Sequence, residues 1–234
     1  MQLWLCPLTA FLLGSIPFGF IIAKAKGIDI RQHGSGNIGA TNVLRVMGKK
    51  FGIPCLILDA LKGFIPTLLA ISLIRFAGMS NPLTIAALTP YAGEFPMLTA
   101  QSFQVISGLG AILGHNFSPW VGFKGGKGIA TSAGVLIAMM PAAIVILVLI
   151  WLLVFLTTRY VSLASIIAAA SLPVLTLWGS WFHGKIQDGT WNKPLFVFSM
   201  VVGLLAIWKH RENIRRLREG SENRFTRKKN SAHV

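Results

Sequence analysis

The chain has 234 residues, 53% of them hydrophobic and 12% charged, a mean hydropathy of +0.65 and a formal net charge of +15. That balance excludes a soluble globular domain and describes a single polytopic membrane domain over residues 1–234. The basic residues fall in short stretches between apolar runs, which excludes nucleic acid as a partner and points to anionic membrane lipids and small phosphorylated molecules.

The first apolar run, Leu3 to Ala23, has no basic segment before it and no small-residue cleavage site, so it reads as a retained first span rather than a signal peptide. Gly34 to Arg45 (GSGNIGATNVLR) follows, rich in glycine and in short polar side chains. Gly34, Gly36 and Gly39 match a dinucleotide-binding fingerprint, with Asp59 at the customary distance. No strand precedes them and Asp59 falls in an apolar run, so that fold is excluded. The second span, Phe51 to Phe76, carries Asp59 and Lys62 at membrane depth and one helical turn apart, where each answers the other's charge. The segment from Asn81 to Gln101 starts with an apolar stretch, Leu83 to Tyr91, that predicts a surface or partly embedded helix.

Gln101 to Gly114 predicts a third span and opens on a second polar stretch, His115 to Thr131. Its core, Phe123 to Gly128, looks like a nucleotide-binding P-loop, yet Val121 stands where the first glycine belongs and Gly128 where a magnesium-binding hydroxyl belongs. The loop is therefore expected to cradle a phosphate without being a nucleotidase. Spans four and five, Ala130 to Met140 and Ala142 to Thr157, are separated at Pro141 and are expected to form a hairpin-like pair. Span six runs from Val161 to Trp178. His183 and Asp188 then reproduce an acyltransferase H-x4-D spacing, but in an external loop, where a chance match is the better reading. Span seven, Pro194 to Trp208, leads into a third polar stretch, Lys209 to Phe225, and a basic tail at residues 225–234 that predicts lipid-surface contact.

Seven spans, several short or broken, place all three basic stretches on the cytoplasmic face with the N-terminus outside. Only Arg75, Lys185 and Lys193 of the 22 Lys and Arg then lie on the outer side. Without the break at Pro141 the third stretch would be stranded on the opposite face. The seven carboxylates form no paired cluster, which argues against a two-metal phosphotransferase, and no metal is expected. Cys6 and Cys55 have neither metal-ligand nor redox spacing.

Five motifs occur together: GSGNIGATNVLR, Asp59-x-x-Lys62-Gly63, GHNFSPWVGFKGGKGIAT, the R-Y-x-S-L-x-S run from Arg159 to Ser165, and H-x-x-N-I-x-R-L from His210 with a following G-x-E that ends at Glu222. In combination they resemble the bacterial acyl-phosphate:glycerol-3-phosphate acyltransferases, the PlsY family, from Ser15 to Glu222. The resemblance implies a seven-helix, all-α integral enzyme of the bacterial cytoplasmic (inner) membrane. It implies transfer of a fatty acyl group from acyl phosphate to the 1-hydroxyl of glycerol 3-phosphate, the first acylation of phospholipid synthesis. The products are lysophosphatidic acid and phosphate, with the active site facing the cytoplasm. No cofactor and a monomer are expected. The segment around Leu83 to Ala100 is longer than the family pattern leads one to expect.

Both substrates carry phosphate, and an acyl phosphate is already an activated anhydride, so such a site needs positioning and charge more than a strong nucleophile. Lys124 and Lys127, with the amides of Gly125, Gly126 and Gly128, are assigned to phosphate binding, and Thr131 to the start of the next helix, whose dipole favours the same anion. Arg45 is assigned a second phosphate, with Ser35, Asn37, Thr41 and Asn42 as hydrogen-bonding partners of substrate. His210 and Asn213 share a helix face, with His210 either general base or phosphate ligand. Ser35, Arg45, Lys124, His210 and Asn213 make up the expected catalytic set. Ser162 and Ser165 either touch substrate or glue helices together, and His115 and Asn116 either contact substrate or shape the loop. Asp59, Lys62 and Glu222 are assigned orienting roles, Glu222 by tying the basic stretch back to its arginines. An organic-anion or phosphate transporter is the alternative class, although it would place charge near the midplane rather than at one face.

Overall fold

The computed structural model describes residues 2–79 and 81–225. Most of the basic tail read as a lipid contact, residues 226–234, thus lies outside the described residues. Two helices, α1 (Gln2–Gly14) and α2 (Phe18–Lys24), make the first apolar segment. They are broken around Pro17, which has no N–H to continue the ladder, and the Ser15 hydroxyl turns back to the Leu12 carbonyl at 2.7 Å. A short amphipathic α3 (Ala40–Met47) lies between the first segment and the long α4 (Lys49–Leu73).

Then come α5 (Met97–Asn116), α6 (Ile129–Met139), α7 (Pro141–Thr158), α8 (Val161–Phe182), α9 (Lys193–Lys209) and α10 (Arg211–Arg218). Among the described residues, five segments are long and apolar enough to cross a bilayer: Leu3–Lys24, Lys49–Leu73, Met97–Val121, Pro141–Thr158 and Val161–Phe182. A sixth is α9 taken with α10, which is bent from it by 53°, and α6 adds a shorter apolar helix. The polypeptide does break at Pro141, which takes the first position of α7 after Met140 leaves helical geometry.

Close packing rests on glycine. A Cβ on Gly14, Gly110 or Gly114 would run into backbone across the α1–α5 contact, and one on Gly63 or Gly134 would do the same between α4 and α6. Small residues let helix backbones approach closely in lipid, where no hydrophobic force drives them together. The outer surface is apolar instead: Leu149, Leu153 and Leu204 are 60%, 65% and 62% exposed. Inside, Gln104 Nε2 donates to the Ile74 carbonyl at 2.6 Å.

Two expectations change. The fourth and fifth helices do not close as a hairpin, since α6 packs chiefly on α4 and α7 chiefly on α8. Gly134 draws α6 onto α4, whereas α7 keeps almost all its surface apolar and outward, with Leu147 its one buried residue among those described. The segment between α4 and α5 also differs from the single helix expected. A parallel pair, β1 (Ile74–Arg75) with β2 (Gly93–Glu94), brackets a 3-10 helix at Ala86–Tyr91. That turn contains Pro90, which does not support a longer α-helix there.

Candidate active site

The three polar stretches meet at one end of the bundle, and each is held in shape by its own buried hub. In the first, Asn42 stands one turn into α3, buried, and spends its whole amide on the loop. Its Oδ1 accepts the Ser35 N–H at 2.8 Å, and its Nδ2 donates to the carbonyls of His33 and Asn37, both at 2.9 Å. Gly34 makes the turn with φ +61°, a left-handed conformation that suits glycine. The amide of Asn42 is thus occupied by loop backbone, while Ser35 and Asn37 line the cleft it shapes.

The second stretch is tied to the first helix pair. Ser118 Oγ donates to the Ser15 carbonyl at 2.6 Å, and the Trp120 indole donates to the Ser15 hydroxyl at 2.8 Å. The Lys209 ammonium, from the far end of α9, donates to the Asn116 carbonyl at 2.9 Å. Gly125 and Gly126 are needed for packing as well as for any ligand. A Cβ at Gly126 would strike the His115 ring, and one at Gly125 the His115 carbonyl. Behind the loop, His115 Nδ1, both polar atoms of the Asn116 amide and Thr131 Oγ1 are buried without a hydrogen-bond partner among the described residues. His115 Nδ1 lies 3.8 Å from Asp59, whose carboxylate pairs with the Lys62 ammonium at 2.8 Å. Lys62 also donates to the Ile16 carbonyl at 2.6 Å, locking α4 to the break between α1 and α2.

Glu222 is the hub of the third stretch. One carboxylate oxygen accepts the Asn213 amide at 2.6 Å and the Ser162 hydroxyl at 2.7 Å, and the other takes the Arg216 guanidinium at 2.7 Å. Burial pulls its pKa up, but these hydrogen bonds and Arg216 outweigh it and hold the carboxyl below its ordinary value. Asn213 in turn accepts a hydrogen bond from the Lys127 ammonium, which joins the second stretch to the third. Burial is the main cause that brings Lys127 down to about 8; Glu222 opposes the shift, and Arg216, Arg45 and Lys209 add to it. Nδ1 of buried His210 lies 2.8 Å from the Ala206 carbonyl and must be its donor, so Nε2 is the nitrogen left for other work. Ser165 is committed to its helix: its hydroxyl donates to the Val161 carbonyl at 2.8 Å and accepts the Trp151 indole at 3.1 Å.

Two spaces open between these hubs. A polar cleft of about 460 Å³ is lined by Lys124, Lys127 and the neighbouring glycines on one side and by Ser35 and Asn37 on another. Lys209, Arg211 and Arg216 complete it. An apolar cavity of about 590 Å³ runs from Thr41, Arg45 and His210 down between α6, α7, α8 and α9. The two share Ser35, Asn37, Lys127 and Asn213. Thr41, Asn42, Asp59, His115, Gly128, Ser162, Ser165 and Glu222 face the apolar cavity, Gly125 and Gly126 face the cleft, and Asn116, Thr131 and Lys62 line neither. Lys209, Arg211 and Arg216 were not singled out from the sequence. Their position three residues or fewer from His210 or Asn213, on a helix turn, was the available signal.

A polar cleft rich in Lys and Arg that adjoins an apolar cavity, at one end of a bundle of lipid-facing helices, defines an integral membrane protein whose site offers a basic space beside an apolar one. The family model for glycerol-3-phosphate acyltransferase matches residues 4–220. The glycerol-3-phosphate acyltransferase of Geobacter sulfurreducens is 42% identical over 217 residues, 92% of this chain and 94% of that protein. That of Aquifex aeolicus is 44% identical over 216 residues, 92% and 95% of the respective lengths. The crystal structure of PlsY (YgiH), an integral membrane glycerol 3-phosphate acyltransferase, in its glycerol 3-phosphate form superposes with a TM-score of 0.76 at 39% identity, covering 97% of this chain and 96% of that one. Its lysophosphatidic acid form gives 0.74 at 38% identity over the same shares. The chain belongs to the glycerol-3-phosphate acyltransferase family.

Proposed function

We propose that the protein transfers a fatty acyl group from acyl phosphate to the 1-hydroxyl of glycerol 3-phosphate, yielding lysophosphatidic acid and inorganic phosphate. The observation that carries this reading is that the polar cleft and the apolar cavity share four residues, Ser35, Asn37, Lys127 and Asn213. A head group in one and an alkyl chain in the other would meet at those residues. The hydroxyl oxygen of glycerol 3-phosphate attacks the acyl carbon, the bond from that carbon to the phosphate oxygen breaks, and phosphate leaves with the electron pair. Lys124, Lys127 and the amides of Gly125, Gly126 and Gly128 hold phosphate at the cleft, and Arg45 holds the second phosphate where the cavity begins. Ser35, Asn37 and Thr41 fix the reacting groups by hydrogen bonds, and Asn42 keeps their loop in register.

His210 presents Nε2 to the cavity and orients a phosphate oxygen, with the phosphate itself accepting the hydroxyl proton. Asn213 and Glu222, with Ser162, hold Lys127 in place, Asp59 and Lys62 fix the floor, and Ser165 anchors α8 to α7. His115, Asn116 and Thr131 shape the phosphate end from behind the glycine loop. Metal ions have no part in this scheme. Seven crossings, with α6 as the fourth, an outer N-terminus and the site at the cytoplasmic face of the bacterial inner membrane, complete the arrangement for a monomer among anionic lipids.

Purified protein given acyl phosphate and labelled glycerol 3-phosphate is expected to form labelled lysophosphatidic acid, and none when acyl-CoA is the donor. Product from acyl-CoA would overturn the donor assignment, and no product from either donor would overturn the transferase reading itself.

A further inference from the structure

The apolar cavity has an end as well as a mouth. Its mouth is polar, with Gly128 at the start of α6, Ser162 on α8 and His210 beyond α9. Its inner lining stops at Leu136 on α6, Leu172 on α8 and Val202 on α9. These three are 4%, 2% and 3% exposed and belong to the main packed core, together with Ala10, Ile112 and Phe198. A chain that enters at the mouth therefore meets close-packed side chains at the far end, not lipid.

Three helices give the depth independently. Gly128 to Leu136 and His210 to Val202 each span about 12 Å, and Ser162 to Leu172 about 15 Å, at roughly 1.5 Å per residue. A staggered alkyl chain with bonds of about 1.5 Å advances roughly 1.25 Å per carbon, so these depths correspond to about 10 to 12 carbons. A side exit opens at a similar depth. Ile53 and Leu56 of α4 and Val148 of α7 line the cavity and are also 49%, 51% and 46% exposed on the lipid face.

Resting on the reading above that this cavity holds the acyl chain, we propose that Leu136, Leu172 and Val202 form an end wall that limits the enzyme's grip to about the first 10 to 12 carbons of the donor. Carbons beyond that number leave sideways between α4 and α7 and add nothing to recognition. Leu172 sets the depth, and Ala168, one turn nearer the mouth on the same face of α8, is where a larger side chain would shorten it.

The test is a chain-length series of acyl phosphates, from about 8 to 18 carbons, at fixed surface dilution in mixed micelles with saturating glycerol 3-phosphate. The wild-type enzyme is expected to gain several-fold in kcat/KM for every two carbons up to the break, and less than about twofold in total beyond it. Leu172→Ala is expected to move the break up by about two carbons, and Ala168→Leu to move it down by about two to four, with the KM for glycerol 3-phosphate unchanged in both. Where Ala168→Leu does not fold, the shift in Leu172→Ala alone decides. A break that stays in place, while either variant alters KM for all donors alike, would overturn the end wall and leave the chain in the cavity. Donor KM values untouched by either variant at every chain length would overturn both the wall and the assignment of the cavity to the acyl chain.

Discussion

Lys127 shows how a single side chain joins two halves of the site. It lines both the polar cleft and the apolar cavity, and its ammonium is held by Asn213. Burial first, and three neighbouring cations second, bring its pKa down to about 8. The sign follows directly: the group is cationic below that value and neutral above it, and only the cation stabilises phosphate charge. We expect kcat/KM, corrected for uncatalysed hydrolysis of the donor, to fall about tenfold per pH unit above pH 8. Lys127→Arg, which stays charged throughout this range, should flatten that alkaline limb even if its absolute rate is lower. Lys127→Met should cost about 2 to 5 kcal/mol of transition-state stabilisation at neutral pH. A limb that persists unchanged in the Arg variant would assign the titration to another group.

At the scale of elements, the turn after α10 matters more than its length suggests. Glu222 draws α8, α10 and the turn after α10 together through Ser162, Asn213 and Arg216. Phe225 continues the strap, with its N–H on the Arg159 carbonyl at 3.0 Å and its ring 5.9 Å from that of Phe155 on α7. Because the Glu222 carboxylate also opposes the downward shift of Lys127, its removal has an electrostatic signature beyond lost structure. Glu222→Gln is expected to move the alkaline limb to lower pH, with a higher KM for glycerol 3-phosphate. A lower rate with the limb unmoved would confine Glu222 to holding the fold together.

These connections mark the boundary of what the sequence discloses. Apolar runs, Pro141 and the three glycine-rich or basic stretches are local features, so the helices and their breaks can be read in order. That Asn42 spends its amide on the loop, that Gly126 is packed against His115, and that Ser165 serves Trp151 are contacts between distant or competing partners. No spacing in the chain encodes them. The β1–β2 pair was illegible for the same reason, since Ile74 and Gly93 meet only after the intervening segment folds back.

For the whole molecule, the open quantity is its direction in the membrane. The mouth of the site gathers the ends of α5, α7 and α9 and the starts of α4, α6 and α8, so the loop between α8 and α9 must lie at the opposite end. The proposed direction rests on the charge distribution, because the site end carries most of the Lys and Arg and basic loops are retained on the cytoplasmic side. The native thiols suit a labelling test poorly for Cys55, which is fully buried, so it stays silent as background, while Cys6 is removed by Cys6→Ala. In that background, Lys185→Cys places a thiol in the α8–α9 loop and Lys50→Cys places one at the exposed start of α4. A membrane-impermeant maleimide added to spheroplasts should label Lys185→Cys at once and Lys50→Cys only after the membrane is permeabilised. The reverse order would turn the molecule over and put the phosphate cleft outside, where neither the basic-loop argument nor an intracellular supply of substrate could account for it. Labelling of both from one side would mean that the helices between them cross an even number of times, and the seven-crossing count would fall with it.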